Sequence, residues 1–467
     1  MHLRTAAALL LLLSCRSGGE AAEPPRRPNL ILVMADDLGW GDLGSYGQRL
    51  VPTPNLDRMA HEGLRFEQFY SGSTVCAPSR CVLMTGLHTG RCEVRGNARM
   101  SLSPETVTVA EVLKQAGYAT GLVGKWGLGQ EGSDGVPTRQ GFDSFFGYLD
   151  QAHAHNYYPS FLIRDEARVA QPNVVPNEGE RGQGVATEKV EYSHDLFTDE
   201  ALGFVRSRAS ADAPFFLYLA YTIPHANNEA GKEGMEVPDA AAHGEADWPG
   251  ARKGFAGMVA RLDRDVGRLL DLLAELGVAE DTVVLFTSDN GPHREGGHDP
   301  DFFDSNGPFR GIKRDLTEGG IRVPTLAWGP GRVPAGRATG YLGGFQDVLP
   351  TFAELAGADE HVPAGLDGRS FAEALRGAEG GAAPHPALYW AFYERGGAQA
   401  LRDGDWKLVQ QPIDSAPRLY DLASDPGESV DLAAAHPART AELVRRMAEQ
   451  YEPSERWRFP AGKQAER

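Results

Sequence analysis

Cys76, Arg80, an adjacent pair of acids, an acid–amide pair and a lysine in a glycine-rich turn are the side chains best suited to act on an anion. Cys76-Ala77-Pro78-Ser79-Arg80 runs on through Cys81-Val82-Leu83-Met84-Thr85-Gly86. Pro78 suits the first turn of a helix, where its missing N–H costs nothing. Val82, Leu83 and Met84 then supply an apolar face, and Gly86 is a natural stop. Cys76 sits at the mouth of that helix, where unpaired N–H groups and the dipole favour negative charge. Arg80, one turn on, points the same way. A nucleophile and a cation thus share one helix end; the plain alternative is a buried Cys ahead of a helix.

Two apolar runs end in oxygen ligands. Leu30-Ile31-Leu32-Val33-Met34 reads as a buried parallel strand and ends in Ala35-Asp36-Asp37. Val283-Val284-Leu285-Phe286 ends in Thr287-Ser288-Asp289-Asn290-Gly291. Adjacent carboxylates repel unless a cation holds them, and a carboxylate with an amide oxygen suits a hard cation. Such groups at the carboxyl ends of strands lie where α/β sheets bind ligands. A solvated acid pair and an Asx-turn are the ordinary readings of each motif alone. Lys125 closes a strand over Ala119–Val123 inside Gly124-Lys125-Trp126-Gly127 and can reach a sulfate or phosphate.

The Cys76–Gly86 run resembles the signature of the type I (formylglycine-dependent) sulfatases, C-x-P-S-R followed by T-G, as in arylsulfatases and N-acetylgalactosamine-6-sulfatases. Leu38-Gly39-Trp40-Gly41-Asp42 resembles the N-terminal signature of that family, and Gly117 through Lys125 resembles its second. Gly311-Ile312-Lys313 with Glu318-Gly319-Gly320-Ile321-Arg322-Val323-Pro324 looks like a further family segment. The resemblance implies that a maturation enzyme oxidises Cys76 to formylglycine, whose hydrate attacks a sulfate ester. It implies Ca²⁺ held by Asp36, Asp37, residue 76, Asp289 and Asn290. Arg80, Lys125 and Lys313 would stabilise the anion, and His225, after Thr222-Ile223-Pro224, or Lys313 would protonate the leaving oxygen. Arg322 would organise structure. The implied fold is the α/β alkaline-phosphatase-like sandwich, with a central mixed sheet and a small C-terminal α+β subdomain. The implied substrate is a sulfated saccharide or aryl sulfate. A formylglycine-dependent phosphodiesterase or phosphonate hydrolase is the nearest alternative, and a glycan binder with unmodified Cys76 the next.

One departure stands out. The family carries a His two residues after Lys125, and this chain has Gly127. Two histidines on the aromatic loop after Gly141-Phe142-Asp143 are candidates for the vacated space. His153 is expected there as a base, with His155 in reserve; Gln151 would instead donate a hydrogen bond to the sulfate. A water taking the proton, with slower turnover, and an inactive enzyme are the other two outcomes.

The elements that must carry these residues alternate along the chain. Asn55 to His61 reads as a short helix stopped by Gly63, ahead of a Phe66–Tyr70 strand. Thr108 can cap a helix over Val109, Val112 and Leu113. Phe215–Leu219 is another apolar strand, and Met258, Leu262, Val266, Leu269, Leu270 and Leu273 recur at helical spacing. Residues 164–192 read as a surface excursion. The expected divisions are a leader and tether over 1–27, a catalytic domain over 28–377 and a subdomain over 387–456, joined by a Gly/Ala/Pro-rich linker. Asp403-Gly404 signals a hairpin there, and Leu443, Val444, Met447 and Tyr451 a final amphipathic helix.

With 467 residues there is room for one large and one small domain, and 41% hydrophobic content fits a globular chain. A net charge of −18 with no basic run argues against nucleic acid as partner. The apolar run from Ala6 to Leu13 reads as a signal-peptide core. Leu12-Leu13-Ser14-Cys15 resembles a lipobox, so export is expected, with membrane attachment through lipid on Cys15; cleavage nearer Ala21-Ala22 is the rival. Cys81 and Cys92 are expected as buried thiols rather than a disulfide.

Overall fold

The computed structural model describes residues 26–245, 247–378 and 385–460. Cys15, the export run and most of the 377–386 linker lie outside the described residues.

The apolar runs become the middle of one sheet. Asn29–Ala35 lies between Thr282–Ser288 and Phe215–Ala220, and Ala119–Lys125 and then Ser144–Tyr148 continue outward. These neighbours all pair in parallel. Parallel strands are covered on both faces, which is why their sequences are apolar without a break. In Asn29–Ala35, Leu30, Leu32 and Met34 face one core layer, while Ile31, Val33 and Ala35 face the other. Helices Cys76–Thr85, Val109–Gln115 and Val348–Ala356 close the first layer. Pro54–Glu62, Ser193–Arg208 and Gly250–Glu275 close the second. Antiparallel Thr325–Trp328, between Thr282–Ser288 and Leu64–Tyr70, makes the ten-stranded sheet mixed.

Local signals in the sequence hold where they rest on backbone chemistry. Thr108 Oγ1 accepts from Glu111 N–H, and the Glu111 carboxylate accepts from Thr108 N–H, a reciprocal cap. Gly86 ends the Cys76–Thr85 helix at φ 70°, donating to Val82 O. Every residue of that helix is buried. The excursion over 164–192 is less irregular than expected: Ala167–Ala170 pairs with Phe161–Arg164 and extends the sheet edge.

A second, four-stranded antiparallel sheet is built from Leu388–Phe392, Ala398–Asp403, Trp406–Gln410 and Arg418–Asp421. Its hairpin turns at Asp403-Gly404, with Gly404 at φ 59° and Asp403 opposite Trp406. Leu443 and Met447 of helix Pro437–Glu449 pack on Leu401, Leu408 and Leu419. This sheet is tied to the large one by buried charge. Lys407 Nζ lies 2.8 Å from Glu318 Oε1 and 3.1 Å from Glu428 Oε1, and all three side chains are fully buried. Glu318 also accepts from Tyr70 Oη and Arg322. Removing Lys407 takes from Glu428 the cation it is paired with and from Glu318 its nearest one. Lys407→Met is therefore expected to cost ~3–5 kcal/mol in urea unfolding. Adding Glu318→Gln and Glu428→Gln should recover part of that loss.

Candidate active site

The chemically capable residues follow the carboxyl ends of the five adjacent parallel strands. Asp289 and Asn290 follow Thr282–Ser288, and Asp36 and Asp37 follow Asn29–Ala35. His225 lies beyond Phe215–Ala220, Lys125 closes Ala119–Lys125, and Gln151 lies just past Ser144–Tyr148. Asp37 sits at φ 65°, a conformation that Asp tolerates better than most residues. The turn lets its N–H meet Asp289 Oδ1 at 3.1 Å.

Cys76 opens its helix at the centre of this row, 3.3 Å from Asp36 Oδ1. Asn97 Oδ1 accepts the next N–H, that of Ala77, at 3.0 Å. Buried acids and cations alternate around Cys76. Arg80 Nη2 is 2.8 Å from Asp289 Oδ2, Lys125 Nζ 2.6 Å from Asp36 Oδ2 and Lys313 Nζ 2.7 Å from Asp37 Oδ2. Burial would raise the Asp36 pKa, but the permanent cations beside it, Lys125 first and then Arg80 and Lys313, pull it far below the usual range. Asp289 is pushed up, by burial first and by Asp36 next. Burial, then Asp289 and Asp36, push the Cys76 thiol well up, so the unmodified side chain is neutral.

His225 completes the cluster. Its Nδ1 lies 2.7 Å from Ala226 O, so Nδ1 carries the hydrogen and Nε2 is bare. Nε2 then accepts from Lys313 Nζ at 3.0 Å. His155 and His293 stack on the ring at 4.9 and 5.7 Å between centroids. Tyr157 Oη donates to His225 O. Burial and Lys313 hold the imidazole neutral.

The structure does not bring His153 to this cluster, contrary to expectation. Its ring lies against Tyr148 and Phe161, at 4.8 and 4.4 Å, and the charges acting on it are Asp150, Arg168 and Glu131. Burial holds it down at about 4. The short helical turn His153–His155 is the reason: it aims residues 153 and 155 to different sides, and His155 is the one that reaches His225. Gln151 is the side chain in front of Gly127. Cys81 and Cys92 are buried free thiols.

Glu295 was not singled out by sequence. It sits 3.4 Å from Lys313, 3.8 Å from the His225 ring and 2.6 Å from Arg314; burial would raise its pKa, but the cations, led by Lys313, overcome that and hold it at about 2. The available signal was its place in Gly291-Pro292-His293-Arg294-Glu295-Gly296, directly after the acid–amide pair.

The oxygen donors fit a hard cation. Asp36, Asp37 and Asp289 converge with Asn290, whose Nδ2 donates to Asp37 Oδ1 and Gly291 O. Asn290 Oδ1 is buried and has no hydrogen-bond partner among the described residues. An orphaned amide oxygen among three carboxylates is a donor set suited to calcium rather than to a softer metal. His225 lies close to Asp36, Asp37 and Cys76, and His293 close to Asp37 and Glu295. Both imidazoles are already engaged: His225 as described, His293 through Pro224 O and Glu295 N–H. They therefore serve the cation less well than Asn290.

Residues 28–358 match the family model described as Sulfatase, and residues 309–456 match one described as N-sulphoglucosamine sulphohydrolase, C-terminal. The chain belongs to the sulfatase family and is a sulfuric ester hydrolase of the alkaline phosphatase superfamily. It is 32% identical to N-acetylgalactosamine-6-sulfatase of Canis lupus familiaris over 91% of this chain and 85% of that protein. It is 34% identical to arylsulfatase A of Homo sapiens over 93% of this chain and 88% of that one. Among solved structures it resembles Ps i-CgsB in complex with k-i-k-neocarrahexaose, at TM-score 0.77 and 28% identity, covering 91% and 92% of the two chains.

The packing of His153 makes a prediction. His153→Phe preserves the contacts with Tyr148 and Phe161, and kcat is expected to stay within about threefold of wild type. Loss of a general acid or base would instead cost roughly 10²–10⁴-fold.

Proposed function

We propose that this protein hydrolyses sulfate esters of a sulfated saccharide, using residue 76, matured from cysteine to formylglycine, beside a bound Ca²⁺. The observation that carries this reading is the ring of buried acids and cations around Cys76 at the start of a wholly buried helix. The saccharide is supported by the names of the relatives, an N-acetylgalactosamine-6-sulfatase and a protein solved with a neocarrahexaose.

The hydrate of matured residue 76 supplies a nucleophilic hydroxyl and a second hydroxyl through which sulfate can leave by elimination, and Ca²⁺ on Asp36, Asp37, Asp289, Asn290 and residue 76 supplies charge that polarises the ester. The chain's own groups do the rest. Arg80 is locked by Asp289, by Asp36 and by Lys125 O, so its guanidinium holds position without reorganising. Lys125 and Lys313 present ammonium groups to the sulfate oxygens, where charge grows as the ester bond breaks. Lys313 and His225 share a hydrogen bond at 3.0 Å and stand as the proton source for the departing alcohol. The tautomer set by Ala226 O leaves His225 Nε2 without a hydrogen, so the first proton comes from the Lys313 side of the pair. Enclosure of all these groups excludes water and strengthens each interaction.

The same reading includes a maturation enzyme and export guided by the N-terminal apolar run, with Cys15 as the residue for lipid. A peptide containing residue 76, from a host with the maturation system, is expected to show the mass of formylglycine. Cys76→Ala should reduce aryl sulfate turnover to background with an unchanged unfolding midpoint. Wild-type turnover of an aryl phosphodiester above that of the sulfate would overturn the reading in favour of a phosphodiesterase.

Exhaustive chelation should abolish turnover, and Ca²⁺ should restore it better than Zn²⁺, because the donors are oxygens. Chelation should also lower the thermal midpoint, since the three acids would lose part of their counter-charge and Asn290 Oδ1 its partner. Full activity and an unshifted midpoint after chelation would remove the metal from the account.

A further inference from the structure

Lys125 closes its strand by reaching Asp36. Trp126 turns the opposite way, into the core, with its indole N–H on Gly135 O at 2.7 Å. Position 127 lies two residues beyond Lys125, at the same strand end. That position is Gly127, at φ 81°. A Cβ built on it overlaps Gln151 Nε2 and lies 2.9 Å from Gln151 Cδ. The space a side chain would take at 127 is already filled, by an amide from another strand end.

The backbone that carries the amide is held in place, yet the amide nitrogen is unsatisfied. Gly127 N–H donates to Leu149 O at 3.0 Å, which binds the two segments together. Asp150 accepts from Ala152 N–H and is clamped by Arg181, fixing the backbone on either side of Gln151. Gln151 Nε2 is enclosed and has no hydrogen-bond partner among the described residues. A buried donor left unpaired is costly, and such groups are rare in native proteins. An anion is the partner that would repay it. Turning the amide over would aim Oε1 at the anion instead, which repulsion disfavours.

We propose that Gln151 Nε2 donates a hydrogen bond to an oxygen of the sulfate group bound at residue 76, and that position 127 is glycine because Gln151 needs its space. This rests on the reading of the site as one for sulfate esters. The amide orients the anion and moves no proton, so acid–base work stays with Lys313 and His225 on the far side of the strand row. Positions 127 and 151 form one unit and substitute for each other rather than adding.

The test is a cycle of Gln151→Ala, Gly127→Ala and the double variant, with Gln151→Glu as a near-isosteric control that replaces the donor with a carboxylate. Inorganic sulfate is the probe, read as thermal stabilisation of each folded variant and as inhibition of aryl sulfate turnover. Gln151→Ala is expected to weaken sulfate binding and lower kcat/KM by roughly 10–100-fold, the scale of a hydrogen bond to a charged group. Gln151→Glu should weaken sulfate binding further. Gly127→Ala should match Gln151→Ala, because the methyl displaces the amide, and the double variant should be no worse than either. Sulfate binding within about twofold of wild type in both folded Gln151 variants would overturn the proposal, as would multiplicative losses around the cycle. Failure of the wild type to hydrolyse any sulfate ester would defeat the functional reading instead. The thermal arm needs no turnover and still decides the role of Gln151.

Discussion

Three carboxylates buried at neighbouring strand ends are the constraint on which the rest of this structure depends. Asp36, Asp37 and Asp289 cannot stay ionised in a dry interior without matching charge. Arg80, Lys125 and Lys313 provide it, each from a different segment. The helix that begins at Cys76 must therefore pack where Arg80 can meet Asp289, and the 311–322 segment must fold where Lys313 can meet Asp37. Catalytic machinery and structural electrostatics are the same set of contacts.

That constraint explains the second sheet. Lys313 lies on irregular backbone, and irregular backbone needs external support. Five residues on, Glu318 is held by Lys407 of the small sheet, by Tyr70 and by Arg322. Leu316 and Ile321, from the same stretch, pack with Trp390, Phe392 and Val409. The small sheet thus fixes the segment that presents Lys313. His225 is steadied in another way, between the rings of His155 and His293, with Glu295 close to both Lys313 and His225.

The Gly127–Gln151 pair shows how one site can keep its enclosure while changing a member. The parallel pairing of Ala119–Lys125 with Ser144–Tyr148 sets Lys125 opposite Tyr148, so the residues just beyond each strand end are neighbours. A side chain from either strand can fill the one space between them. Here the outer strand fills it with a neutral amide, and the inner strand is left with glycine.

Sequence alone determined the sheet's central strands, because a strand buried on both faces must be apolar throughout, and Leu30–Met34, Phe215–Leu219 and Val283–Phe286 are. It also determined that Asp36, Asp37, Asp289 and Asn290 stand at strand ends, since each directly follows such a run. The Thr108 cap and the Gly86 stop were legible because they are local backbone chemistry. Only the tertiary structure decided which strands are neighbours, and hence that Lys125, His225 and the acids share one buried cluster. It separated His153 from His155, because the phase of a three-residue turn is not written in residue type. It brought Glu295 to Lys313 across a loop whose path no periodicity describes. It also put Gln151 in front of Gly127, since strand order and register, unlike hydrophobic pattern, are set by packing between segments distant in the chain.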